Sequence, residues 1–273
     1  MTALAIALGL SLSIQAPPSL EPAAARLRQV DARATEDALR AAGLRPPEAV
    51  IVLLVPDGDP VARAAPGWVV GRAFPNGTVV IFPSRVTRYP YASLESVLRH
   101  EIVHLALFGT AGDHPLPRWF HEGVATSVES GWSAADEVRL LLAALDEPTI
   151  EDVGELFESE SQPGTSLAYR LATALIDDLR ERKGADLPGR IANRVAAGMP
   201  FDRAFAIETG EAPDAAAAQA WRSYRQWVNW IPAFASASAV WAFILVLAGI
   251  AFAVQRRKRE QRRRAVDEED PSG

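Results

Sequence analysis

The chain contains no cysteine, which excludes disulfides and thiolate metal sites. Lysine is scarce, whereas arginine and alanine are plentiful, a usage that fits a GC-rich, bacterial genome and carries no chemical information. A strong excess of one charge is also missing. The net charge of −6 over 273 residues is too mild, and of the wrong sign, for a protein that binds nucleic acid. No internal repeat is present. Histidine is rare, with four in the whole chain.

Two of those four sit together in His100-Glu101-Ile102-Val103-His104. Histidines four apart on a helix project from one face, so both imidazoles can ligate a single Zn²⁺ from one rigid element. Glu101 lies between them, placed to act as general base without being a ligand, which is the H-E-x-x-H arrangement. Leu94, Val97, Leu98, Ile102, Val103, Leu105 and Leu107 spread around most of the helix, as in a helix buried on most sides. Ser93 is its expected N-cap, and Gly109 its expected stop. A core helix that merely happens to carry these three groups would need partners for each of them.

A catalytic zinc site needs three protein ligands and an open position. Downstream the chain reads Pro117-Arg118-Trp119-Phe120-His121-Glu122-Gly123-Val124-Ala125. Pro117 suits the first position of a helix, and Gly123 and Ala125 leave room for close packing against the first helix. His104 and Glu122 are eighteen positions apart, enough for a turn and a reversal between neighbouring helices. His121 and His114 compete with Glu122 for the role. His121 is about 100° from Glu122 around the helix, so the two cannot point equally well at one ion.

These residues resemble the gluzincin metallopeptidases, in which H-E-x-x-H is followed by a glutamate ligand on a second helix. More narrowly they are similar to peptidase-MA-like families with a W-x-x-E-G-x-A segment, matched here by Trp119, Glu122, Gly123 and Ala125. The resemblance implies His100, His104 and Glu122 as ligands and Glu101 as catalytic base. It implies a tyrosine donor to the oxyanion near the start of a later helix, where Tyr169 stands, with His114 the alternative. It also implies an upstream edge strand that pairs with the substrate backbone, Gly67 to Phe74 or Thr78 to Phe82. One departure lies four residues after the glutamate, where some gluzincins carry an acid. Here that residue is Thr126, with Glu129 further on, so the partner of the ligands' second nitrogens is open.

The ends carry further expectations. Residues 233–254 are uncharged and apolar, long enough at 1.5 Å per residue to span about 33 Å, and seven basic residues follow. They read as a transmembrane helix with a cytoplasmic tail, 255–273. Residues 1–16 read as a signal peptide, which leaves 17–232 as an extracytoplasmic domain of a cell-membrane, single-pass protein. Within it, Leu20 to Leu44 reads as one helix and Val50 to Val55 as a buried strand. Pro75-Asn76-Gly77 is expected to turn a hairpin. Helices are expected over Ala134 to Leu145, Ile150 to Phe157, Ser166 to Arg182, Leu187 to Ala197 and Phe201 to Ile207.

The expected fold class is α+β, a zincin-like domain with a small N-terminal β-sheet and a helical C-terminal half, followed by one transmembrane helix. The expected function is membrane-anchored zinc metallopeptidase, acting on a peptide or protein. A membrane-tethered zinc-binding assembly module with little turnover is the alternative, against which the intact Glu101 argues, since binding alone needs no base. A third possibility is hydrolysis of another amide, such as a cell-wall crosslink.

Overall fold

The computed structural model describes residues 9–86, 91, 93–112, 114–129, 147–159 and 162–223. The chain divides into two units, Met1–Arg222 and Ser223–Gly273, and the second lies, apart from its first residue, outside the described residues.

The first half builds a four-stranded sheet from β1 (Ser11–Gln15), β2 (Ala49–Leu54), β3 (Gly71–Phe74) and β4 (Thr78–Ile81), in the order β1-β2-β4-β3. β1 and β4 pair parallel to β2, and β3 pairs antiparallel to β4. The β3–β4 hairpin turns at Gly77, whose φ of 82° suits a residue without a side chain, while Asn76 Oδ1 accepts from the Thr78 N–H at 3.1 Å. β2 is not buried on both faces, as its aliphatic run had suggested. Val50, Val52 and Leu54 are buried, but Ile51 is 41% exposed. The far end of Ile51's face is covered, where Leu53, Val55, Val80 and Phe82 pack with Ala62 of a short helix, α3 (Pro60–Ala64).

Two helices connect β1 to β2, α1 (Glu21–Leu27) and α2 (Ala32–Ala41), where one helix was expected. Asp31 makes the break. Its side chain accepts from the Ala34 N–H at 2.9 Å, starting a new helix instead of continuing the old one. Gly43, at φ 71°, ends α2, with the Leu44 N–H reaching back to the Leu39 carbonyl.

The central helix α4 (Leu94–Ala111) is capped reciprocally by Ser93 and Ser96. It runs through Gly109 and stops at Gly112, φ 65°. Thr110 keeps the last turn in place, accepting from the Arg45 N–H at 2.9 Å while donating to the Ala106 carbonyl at 2.6 Å. α5 (Arg118–Glu129) follows, then α6 (Ile150–Glu158), α7 (Gln162–Lys183), α8 (Leu187–Ala196), α9 (Phe201–Thr209) and a helical stretch over 213–223. Leu171, Leu175 and Leu179 bury one stripe of α7. Trp221 is buried and its indole N–H donates to the Pro148 carbonyl at 2.8 Å, tying the last described helix to the start of α6.

Two expectations change. The fold is mixed α/β, and the membrane span is removed from it: among the described residues no helix is long and apolar enough to cross a membrane. The longest, α7, carries Arg170, Asp177, Asp178, Arg180, Glu181, Arg182 and Lys183 within its 22 residues, a cost no bilayer-spanning helix bears lightly. The single-pass localisation is corrected on the same ground, and 233–254, where the span had been placed, lie outside the described residues, as do 134–145. Ser11–Gln15, inside the stretch read as a signal peptide, forms an outer strand of the sheet.

Candidate metal centre

α4 presents His100 and His104 on the face turned toward α5. Their Nε2 atoms are 3.1 Å apart. Glu122, one turn into α5, brings Oε2 to 3.4 Å from His100 Nε2 and 3.5 Å from His104 Nε2. Four ligand atoms set tetrahedrally at about 2.0–2.1 Å from an ion lie about 3.3–3.4 Å from one another. The three atoms therefore have the spacing of one face of such a tetrahedron. Glu122 Oε2 is buried and has no hydrogen-bond partner, a costly state for a carboxylate unless a cation joins it. His100, His104 and Glu122 thus form a group that could hold a metal ion.

Electrostatics in the centre follow from burial and crowding. Burial would raise the Glu122 carboxyl, but the imidazoles of His104 and His100 outweigh it and hold the group well below the usual range. His100 is lowered, burial being the main cause. His104 is raised, because the Glu122 and Glu101 carboxylates overcome its burial. The deprotonated Glu122 carboxylate and the lowered His100 imidazole are in the states a divalent cation needs of its ligands, while His104 would give up its more tightly held proton on binding.

Glu101 is buried beside this group, 3% exposed, and burial pushes its carboxyl up to about 7, against the pull of His104 and of an N–H from Ala73. That N–H belongs to β3. The strand runs so close to α4 that a Cβ on Gly71 would lie 2.6 Å from Glu101 Oε1 and 2.9 Å from Val97 Cγ1. β4 lies inside the sheet between β2 and β3, so of the two strands singled out in the sequence only β3 has an edge unpaired among the described residues.

Tyr169, on α7, stands with its ring 6.3 Å from that of His100, and its hydroxyl is hydrogen-bonded to Glu122. Burial and the Glu122 carboxylate raise its pKa well above the ordinary phenol value. The elements that place it are tightly coupled to those that place Glu122. Gly123 packs against α7, not against α4 as its position had suggested, and a Cβ there would lie 2.7 Å from the Ala172 carbonyl oxygen.

The competing histidines separate cleanly. His114 is exposed in the connection before α5 and is not a member of the group. His121 turns away from the convergence point and sets its Nδ1 2.6 Å from His104 Nδ1, with its ring also against Phe108. Burial and the neighbouring His104 pull its imidazole down to about 3. Glu129 is occupied by Arg99, at 3.2 Å. Tyr91 was missed from sequence altogether. It meets His100 edge-on with ring centroids 5.2 Å apart, and no local pattern marks it, because it precedes the helix and reaches the site only through the fold. A cavity of about 290 Å³ between α2, α4 and α5 is lined from α4 by Arg99 and Val103, and none of His100, Glu101, His104 or Glu122 borders it.

No protein-family model matches this chain, and no curated protein matches it in sequence.

Proposed function

We propose that the chain is a zinc-dependent metallopeptidase of gluzincin type. The observation that carries this reading is the set of spacings of 3.1, 3.4 and 3.5 Å among His100 Nε2, His104 Nε2 and Glu122 Oε2, with Glu101 buried against them. Two histidines and a carboxylate are a donor set that suits Zn²⁺ and leaves a fourth position open. A zinc ion held there would polarise a scissile carbonyl and make a water acidic enough to attack it near neutral pH.

The chain's own groups supply the remaining chemistry. Glu101 takes a proton from the attacking water and later delivers it to the leaving amine, and a carboxyl raised to about 7 suits both directions of transfer. Tyr169 offers a phenolic O–H to the oxyanion that develops on the substrate. The outer edge of β3, beside the Ala73 N–H that donates to Glu101, pairs with an extended peptide backbone, bringing the scissile bond alongside Glu101. The same residues would serve for hydrolysis of another amide, so peptide is the substrate class the β3 edge favours.

The test is metal analysis of the purified protein together with digestion of a mixed peptide library, wild type against Glu101→Gln. One zinc per chain in both, and cleavage by the wild type alone, is the expected result. Zinc retained with no cleavage by the wild type would support a binding or assembly module instead, and activity retained in Glu101→Gln would sink the mechanism.

A further inference from the structure

We infer that His121 is a positioning residue, which holds the His104 ring in its ligating orientation by accepting a hydrogen bond from His104 Nδ1. The inference rests on the reading of His100, His104 and Glu122 as a metal-binding group.

The argument is one of proton accounting. His104 Nε2 faces His100 Nε2 and Glu122 Oε2, so Nε2 is the atom turned to the ion and must carry a lone pair. A neutral imidazole has one N–H, which must then sit on Nδ1. That atom lies 2.6 Å from His121 Nδ1, where the two nitrogens need one proton between them and no more. His104 is therefore the donor, His121 Nδ1 the acceptor, and the His121 proton is on Nε2. The rings are within 26° of parallel with centroids 4.7 Å apart, which for a nitrogen contact this short is a side-by-side arrangement, as an N–H···N bond requires.

Metal-ligating histidines are generally fixed through their second nitrogen, most often by a carboxylate or a carbonyl. The sequence offered Thr126 and Glu129 for that role, but Glu129 is paired with Arg99. His121 supplies the acceptor from the residue next to the third ligand. Because α5 carries both His121 and Glu122, one helix provides a ligand and also orients a ligand on its neighbour. A neutral imidazole draws less on the N–H than a carboxylate would, so His104 is held in place without being made strongly basic.

The test compares the full chain with His121→Leu and His121→Asn. Leucine keeps apolar bulk but accepts nothing, and asparagine restores an acceptor oxygen. Zinc dissociation constants are read by competition with a chromogenic chelator, and the ligand set by the visible spectrum of the cobalt(II)-substituted protein. One metal per chain is expected throughout, with an unchanged cobalt spectrum, about 10–100-fold weaker binding in His121→Leu, and recovery to within a few-fold in His121→Asn. Equal affinity in His121→Leu and wild type would overturn the inference and leave the metal site standing. A changed cobalt spectrum in His121→Leu would make His121 a ligand and overturn it likewise. No metal bound by the wild type would remove the metal site itself. Should neither variant fold, long-range ¹⁵N–¹H spectra of the zinc-loaded wild type decide: a proton on His104 Nε2, or on His121 Nδ1, overturns the assignment.

Discussion

Glu101 Oε1 occupies the space that the first side-chain carbon of residue 71 would need, 2.6 Å from where that carbon would stand. The absent side chain of Gly71 is thus what lets the sheet edge and the buried carboxylate touch. In Gly71→Ala the far end of Glu101 must swing aside, and Val97, at 2.9 Å, must also give. We expect kcat/KM on a cleavable peptide to fall at least about tenfold, with a modest loss of melting temperature from overpacking of about 1–3 kcal/mol. Peptide kinetics and a thermal melt on the same sample check both parts, and unchanged kinetics would disconnect β3 from the base.

Zinc should stabilise the protein visibly. Glu122 Oε2 lies buried between two imidazoles with no hydrogen bond of its own, where a cation would be welcome, and an ion at 1,000 times its Kd adds about 4 kcal/mol to folding stability. Melting temperature is expected to rise on adding Zn²⁺ and to return on adding a chelator. In Glu122→Ala the rise should shrink strongly, whereas in His114→Ala it should be retained. A shift in His114→Ala as small as in Glu122→Ala would contradict the ligand set.

Tyr169→Phe removes one hydroxyl and keeps the ring that packs against Phe157 at 5.2 Å. The hydroxyl reaches Glu122, so zinc affinity should fall by about tenfold or more and the rate is read per bound zinc. If the O–H serves the oxyanion, kcat falls by about 10²-fold with KM nearly constant. Loss of zinc with kcat per bound zinc unchanged would reassign Tyr169 to holding the ligand.

Two glycines on helices should respond in opposite directions. A Cβ on Gly189 would lie 2.0 Å from the Gly43 carbonyl oxygen, a backbone atom with nowhere to go, so Gly189→Ala should destabilise by at least about 3 kcal/mol. Gly109 has nothing within 4 Å of its added carbon. Gly109→Ala should therefore stabilise by about 0.5–1 kcal/mol, as removing glycine from a helix interior does. Urea unfolding midpoints of the two variants check the pair.

How much of this could be read from the chain alone depended on how local each cause is. His100 and His104 were legible because a helix fixes their geometry by spacing alone. Glu122 could be named but not separated from His121 by spacing, since neighbours on a helix differ only in direction, and the direction is set by the α4–α5 packing. His121's contact with His104 was invisible for the same reason. The break at Asp31 has a local signal, a good capping residue within an apolar-periodic stretch, outvoted by that periodicity. Gly109 was read as a stop because the Arg45 contact that supports the next turn comes from 65 residues earlier, at Thr110. β1 was hidden because five residues of alternating Ser and aliphatic character become a strand only when β2, far along the chain, offers an edge.

The two histidines belong to one helix and the glutamate to another, and α5 is seated chiefly on α7, through Gly123 and the Ala172 carbonyl. Before those helices dock, the chain therefore owns only a two-point, weakly holding claw for a divalent ion. Tight capture would need the third point, and so a helical half already assembled. By reciprocity the ion strengthens that docking as much as docking strengthens its retention. Metal occupancy would in this sense be a proofreading mark: a chain that held an ion at all three points would already have put α4, α5 and α7 together.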